Sequence, residues 1–180
     1  MTSAGLLARI RETAFRQGEF HLPSGQVVHE YFDEFLLAAD PALLGDVARA
    51  LAPAIPPGTE VLIGLELGGV PLTVALSAAS GIPAAFLRRR PKAYGTFKQV
   101  EGQAVAGRNV VVVDDVVRSG GQALEAAAVL RRLGATVGGT VCVLDRGLEG
   151  RARLAAEHIE LRSLLLARDA GFQEVSLAVV

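Results

Sequence analysis

The chain has a single cysteine, Cys142, among its 180 residues. No disulfide can form within it, which fits a reducing compartment. The thiol lies in the apolar run TVCVL (140–144), the setting of a small buried hydrophobe and not of a ligand or nucleophile. Lysine is nearly as scarce: of 18 basic residues only Lys92 and Lys98 are not arginine. His21, His29 and His158 stand far apart, without metal-ligand spacing. No apolar run approaches the roughly 18 residues of a membrane span. The first twenty residues carry charges every few positions, unlike a secretion signal. These absences lead to the expectation of a cytoplasmic protein without a membrane partner. A net charge of −1 argues against a nucleic-acid partner held by bulk charge. There is no repeat, no G-x-G-x-x-G and no G-x-x-x-x-G-K-[ST].

What is present is a large apolar fraction, 51%, enough for one substantial core. Helices are expected over 3–17 and 41–52, and an extended stretch over 27–37. From residue 60 short apolar runs alternate with helical stretches. EVLIGL (60–65), AAFLRR (84–89), NVVVVDD (109–115), TVGGTVCVLD (136–145) and LRSLLL (161–166) read as five strands. A helix over about 122–133 ends before Gly134, and RARLAAEH (151–158) is a further helix. Strands apolar throughout and separated by helices predict an α/β fold: a parallel five-stranded sheet with helices on both faces. The expected organisation is one domain over 1–180, with a small N-terminal segment to about 40 and the core sheet over about 55–166. In such sheets ligands sit at the carboxyl ends of the strands. The polar segments ELGG, RRRPKAYG, DDVVRSGGQ and DRGLEG all fall there.

The strongest single feature is VVVVDDVVRSGGQ (110–122). A buried strand runs into Asp114 and Asp115, and a loop with Ser119, Gly120 and Gly121 then opens a helix. Amides of such a loop and helix start converge on an anion, and small residues let the backbone approach it. Carboxylates do not bind phosphate; they suit hydroxyls, or a metal held through water. A ribose 5-phosphate satisfies both halves.

This segment resembles the phosphoribosyl pyrophosphate (PRPP) signature of the type I phosphoribosyltransferases. GEFHLPSGQVVHEYFD (18–33), RRRPKAYG (88–95) and LDRGLEG (144–150) are similar to the N-terminal segment, mobile basic loop and base-binding step of the orotate phosphoribosyltransferases within that family. The resemblance spans about residues 5–166. It implies transfer of ribose 5-phosphate from PRPP to orotate in pyrimidine nucleotide biosynthesis. Asp114 and Asp115 would hold the ribose hydroxyls, and Val116, Val117, Arg118, Ser119, Gly120, Gly121 and Gln122 would wrap the 5-phosphate. Arg88, Arg89, Lys92 and Tyr94 would meet the pyrophosphate, with Lys92 catalytic alongside the two acids. Tyr31 and Phe32 would flank the pyrimidine, and Arg146 would pair with its carboxylate; Arg118, an arginine inside the phosphate loop, is placed to add a contact to phosphate or to that carboxylate. The resemblance further implies Mg²⁺ bound through substrate and water with no direct protein ligands, and a homodimer whose basic loop is shared between subunits.

This chain departs from the pattern at Pro23, where many relatives carry lysine, at Gly68, where some do, at Tyr94, where histidine is common, and at Arg118, where a small hydroxyl residue is common. Glu66, in ELGG, reads equally as a site residue or a solvated acid. Two alternatives share the signature: a purine phosphoribosyltransferase, and a non-catalytic regulator that senses PRPP. A phosphorylation-switched receiver domain also carries an acid pair after an apolar strand, but the pair opens that domain and a lysine follows late. Here no lysine follows Lys98.

Overall fold

Apolar positions at helical intervals build α1 (Ser3–Ala14), which buries Leu6, Ile10 and Ala14. The computed structural model describes residues 3–21, 25, 27–93, 95, 98–147, 149–167 and 175–178. Helix α1 stops three residues before its expected end, because Phe15 already opens strand β1 (Phe15–His21), paired antiparallel with β2 (Val27–Phe32). Phe15 and Phe32 are register partners whose rings meet edge to face at 5.1 Å. The extended reading of 27–37 holds only to Phe32. Asp33 Oδ1 then accepts the N–H groups of Phe35 and Leu36, each at 3.1 Å, and starts α2 (Glu34–Ala39). Asp40 caps α3 (Pro41–Leu51) in the same way, with Pro41 where its missing N–H costs nothing.

The remaining strands are β3 (Val61–Leu65), β4 (Ala84–Leu87), β5 (Val100–Gly102), β6 (Asn109–Val117), β7 (Thr136–Asp145), β8 (Leu161–Ala167) and β9 (Val175–Leu177). They form one sheet in the order β5-β4-β3-β6-β7-β8-β9. The five expected strands, β4-β3-β6-β7-β8, are all parallel. The sheet is nonetheless seven-stranded and mixed, because β5 and β9 add antiparallel edges. Each edge strand has three residues, too few to leave a periodic signal.

Helix α4 (Gly69–Ser80) follows β3, α5 (Gly121–Arg132) follows β6, and α6 (Gly150–Ala156) follows β7. Alternate residues of β6 feed opposite layers. Val111 and Val113 pack with Leu43, Val47, Leu72 and Leu76 of α3 and α4. Val110 and Val112 pack with Ala123, Ala127 and Leu130 of α5. The strand must therefore be apolar at every position. From β3 the chain steps one way to β4, then returns to place β6 on the other side. With α4 and α5 on opposite faces, a crevice must open between the carboxyl ends of β3 and β6.

Candidate active site

A cleft of about 540 Å³ occupies that crevice. Its floor is the end of β6. The strand runs two residues past its expected end, to Val117, so Asp114 and Asp115 lie well inside it. Asp114 is buried at 4% exposure. Its Oδ1 accepts the N–H of Asp115 at 3.1 Å, and Asp115 Oδ1 accepts that of Val116 at 2.7 Å. Burial, then the neighbouring Asp115 charge, push the Asp114 carboxyl well above the usual range. The pair is short of positive charge, which suits hydroxyl donors or a hydrated cation.

The loop after β6 is held from beneath by α6. Gly120 has φ +71° and Gly150 packs against it; a Cβ on Gly150 would lie 2.5 Å from Arg118 O. Arg153 Nη1 donates to Ser119 O at 2.7 Å. The loop amides and the start of twelve-residue α5 thus face one spot in the cleft.

The wall from β3 is Glu66, Leu67 and Gly68. The Glu66–Leu67 peptide is cis. Glu66 Oε2 accepts the Arg89 N–H at 2.9 Å, and its carbonyl accepts Gln122 Nε2 at 3.4 Å, so this acid is a structural tie across three loops. At Gly68 a Cβ would overlap Asp115 Oδ2. Any side chain here requires the Asp115 carboxylate to shift.

The opposite wall carries Tyr31, Phe32, Glu34 and Phe35, with Arg146 nearby. Phe32 is 3% exposed and its ring is committed to the core, whereas Tyr31 stacks at 5.3 Å on Phe20. Burial first, then Glu34 and Asp33, raise the Tyr31 hydroxyl pKa. Burial, with Asp115 and Asp33, raises that of Glu34. The Arg118 charge opposes both shifts, so Arg118 works on the Tyr31 side of the cleft.

Of the residues expected at the site, Tyr31, Phe32, Arg89, Asp114, Asp115, the loop through Gln122, and Arg146 line one cleft. Arg88 lies in a smaller cavity behind Glu66, and Lys92 in one beside Arg89. Lys92 Nζ is 2.5 Å from Glu101 Oε1, and that ammonium holds the Glu101 carboxyl below its usual range. Tyr94 and Pro23 lie outside the described residues. Glu34 and Phe35 were missed because their segment read as strand; the Asp33 cap was the available signal. Among the described residues no three acidic, histidine or cysteine side chains are placed to hold a metal ion. No described helix is long and apolar enough to cross a membrane.

The family model for the phosphoribosyl transferase domain matches residues 39–163. The chain is 44% identical over 174 residues to an orotate phosphoribosyltransferase of Nocardioides sp., covering 93% of this chain and 97% of that one. The crystal structure of Mycobacterium tuberculosis orotate phosphoribosyltransferase with Fe(III) dicitrate superposes with a TM-score of 0.79 at 31% identity, over 94% of this chain and 98% of that one. The same enzyme in complex with 5-phospho-alpha-D-ribosyl 1-diphosphate gives 0.75 at 29% identity, with the same coverage.

Proposed function

This chain belongs to the phosphoribosyltransferase family, and we propose that it transfers ribose 5-phosphate from PRPP to orotate, releasing pyrophosphate and forming orotidine 5′-phosphate. One observation carries the reading: a buried acid pair and an amide-lined loop share a cleft with Tyr31, Arg118 and Arg146. A sugar phosphate and a flat, anionic base fit its two ends.

In this reading Asp114 and Asp115 accept the ribose hydroxyls, and the loop from Val116 to Gln122 binds the 5-phosphate through its amides. Arg146 and Arg118 pair with the orotate carboxylate while Tyr31 covers the ring. The bond from base N1 to the anomeric carbon forms as the bond to pyrophosphate breaks, and N1 loses its proton. Positive charge grows on the ribose and negative charge on the leaving group, so cations that arrive late accelerate the step. Arg89 is already at the cleft. Lys92 must exchange Glu101 for the pyrophosphate, as a moving loop would allow. Mg²⁺ on the substrate's own oxygens would offset leaving-group charge, with the acid pair reaching it through hydroxyls or water.

The proposal includes one domain over the whole chain and a homodimer. Leu67 (62% exposed) and Val74 (54%) are apolar positions at and beside α4, a helix with little polar surface to offer water. A second copy on this side would cover them.

The test is pyrophosphate release from PRPP with Mg²⁺, offering orotate, uracil, adenine, guanine and xanthine separately. Release with orotate alone is expected. Release with a purine would keep the mechanism and change the base. Tight PRPP binding without release would make the protein a sensor.

A further inference from the structure

The two ends of the cleft belong to different elements: the base end to the turn after β7, the phosphate end to the loop after β6. The short helix α6 reaches both. Arg151 donates Nε and Nη2 to Asp145 Oδ2, at 3.2 and 2.8 Å, and Nη1 to Leu161 O at 2.7 Å. Asp145 is wholly buried. Its other oxygen, Oδ1, accepts the Gly147 N–H at 2.9 Å. Arg146, held between these two residues, donates its own N–H to Val117 O at 2.9 Å and lines the cleft. Two positions along α6 from Arg151, Arg153 takes Ser119 O of the phosphate loop.

A carboxylate out of water is tolerable only when its lone pairs are satisfied and its charge is matched. Arg151 does both for Asp145 Oδ2. Two guanidinium N–H groups occupy that one oxygen and anchor it, which leaves Oδ1 for the Gly147 amide and so shapes the turn. Gly147 has φ +64°, so this turn has one tight conformation to keep. Removing the fork leaves a buried charge that must rotate toward solvent, releasing the Gly147 amide and the aim of Arg146. Arg153 does less. It fixes one backbone carbonyl of the loop, and that partner carries no charge.

We propose that Arg151 and Arg153 are positioning residues with separate reach. Arg151 aims Arg146 at the carboxylate of the base through Asp145, and Arg153 sets the phosphate loop through Ser119. The inference rests on the orotate reading of the cleft.

The experiment measures initial rates of the full-length protein with Mg²⁺, varying orotate and PRPP independently, for wild type, Arg151→Met, Arg151→Lys and Arg153→Met. Arg151→Met should raise KM for orotate about tenfold, as expected when one binding group is misaimed, and leave KM for PRPP nearly unchanged. Arg151→Lys keeps the charge without the fork and should recover part of that loss. Arg153→Met should show the reverse pattern, a several-fold rise in KM for PRPP alone. Should Arg151→Met not fold, the Arg151→Lys and Arg153→Met pair still makes the comparison. Variants that lower melting temperature and active fraction with both KM values unchanged, or that raise both alike, overturn the inference while leaving the orotate reading intact. A wild type that makes no orotidine 5′-phosphate overturns that reading, and the inference with it.

Discussion

Asp114 to Gln122 grow from the central strand of the sheet, with parallel neighbours on both sides and helices on both faces. Arg88 to Ala93 follow a four-residue strand near its edge, and Lys98 and Gln99 lead into a three-residue one. The first region and the strand leading into it are packed against glycines from neighbouring elements, Gly69 and Gly150, where a Cβ would strike the backbone at Val113 and Arg118. The second closes through Lys92 N–H to Lys98 O at 3.1 Å and rests its lysine on Glu101. The difference suits a division of labour. Groups that bind the ground state gain from being rigid before substrate arrives, and groups that act on the transition state must be able to move in.

Removing the acids from the rigid region should have the largest effect. Asp114→Asn with Asp115→Asn leaves no carboxylate for the ribose diol, and PRPP affinity by calorimetry should fall at least about 100-fold, near 3 kcal/mol. Unchanged affinity would place the ribose elsewhere. Lys92→Ala tests the edge side: turnover should fall about 100-fold, while PRPP affinity moves by less than about threefold. Equal losses would make Lys92 a ground-state contact and dissolve the contrast. Gly68→Ala tests how closely the rigid region is built. Its Cβ would overlap Asp115 Oδ2, so the carboxylate must swing away and PRPP should bind about tenfold more weakly, roughly 1.4 kcal/mol, with little change in melting. Retained affinity would show that Asp115 can move without cost.

The smallest effect concerns stability. Burial and Asp115 raise the Asp114 carboxyl. The unfolded chain therefore releases this proton at lower pH than the folded one, and folding stability falls as pH rises between those two values. An amide has no such loss. Asp114→Asn should melt higher than wild type at neutral pH, by about 1 kcal/mol, as is common when a site built for function is relaxed. The advantage should vanish below the ordinary carboxylate range, where both proteins carry a neutral group. Lower melting at neutral pH would mean the carboxylate's local hydrogen bonds outweigh its burial.

Much of this was legible in the sequence because it was local. Four consecutive valines before two acids and a small-residue loop describe a strand buried on both faces that ends at an anion site, and β6 with its loop has that form. The five parallel strands followed from the same kind of run. The edge strands were too short to signal. Helix α2 was hidden because aromatic and branched residues of 27–37 suit a strand, and one side-chain cap from Asp33 decides otherwise. The segment with Arg151 and Arg153 read only as a helix, with no role for either arginine. Nothing local distinguishes an arginine in solvent from one whose fork holds a buried carboxylate six residues back in the chain.

The sequence by itself determined the five parallel strands, which strand ends carry acids, amides and cations, and the chemistry those groups share. Periodicity and small-residue loops are consequences of neighbours along the chain, so they can be read there. The tertiary structure alone decided that Gly68 touches Asp115, that Lys92 rests on Glu101, that Phe32 belongs to the core while Glu34 faces the cleft, and that α6 underlies both ends of the site. Those relations depend on strand order and on the few ångströms a side chain can span once distant segments are packed together, and no spacing along the chain encodes them.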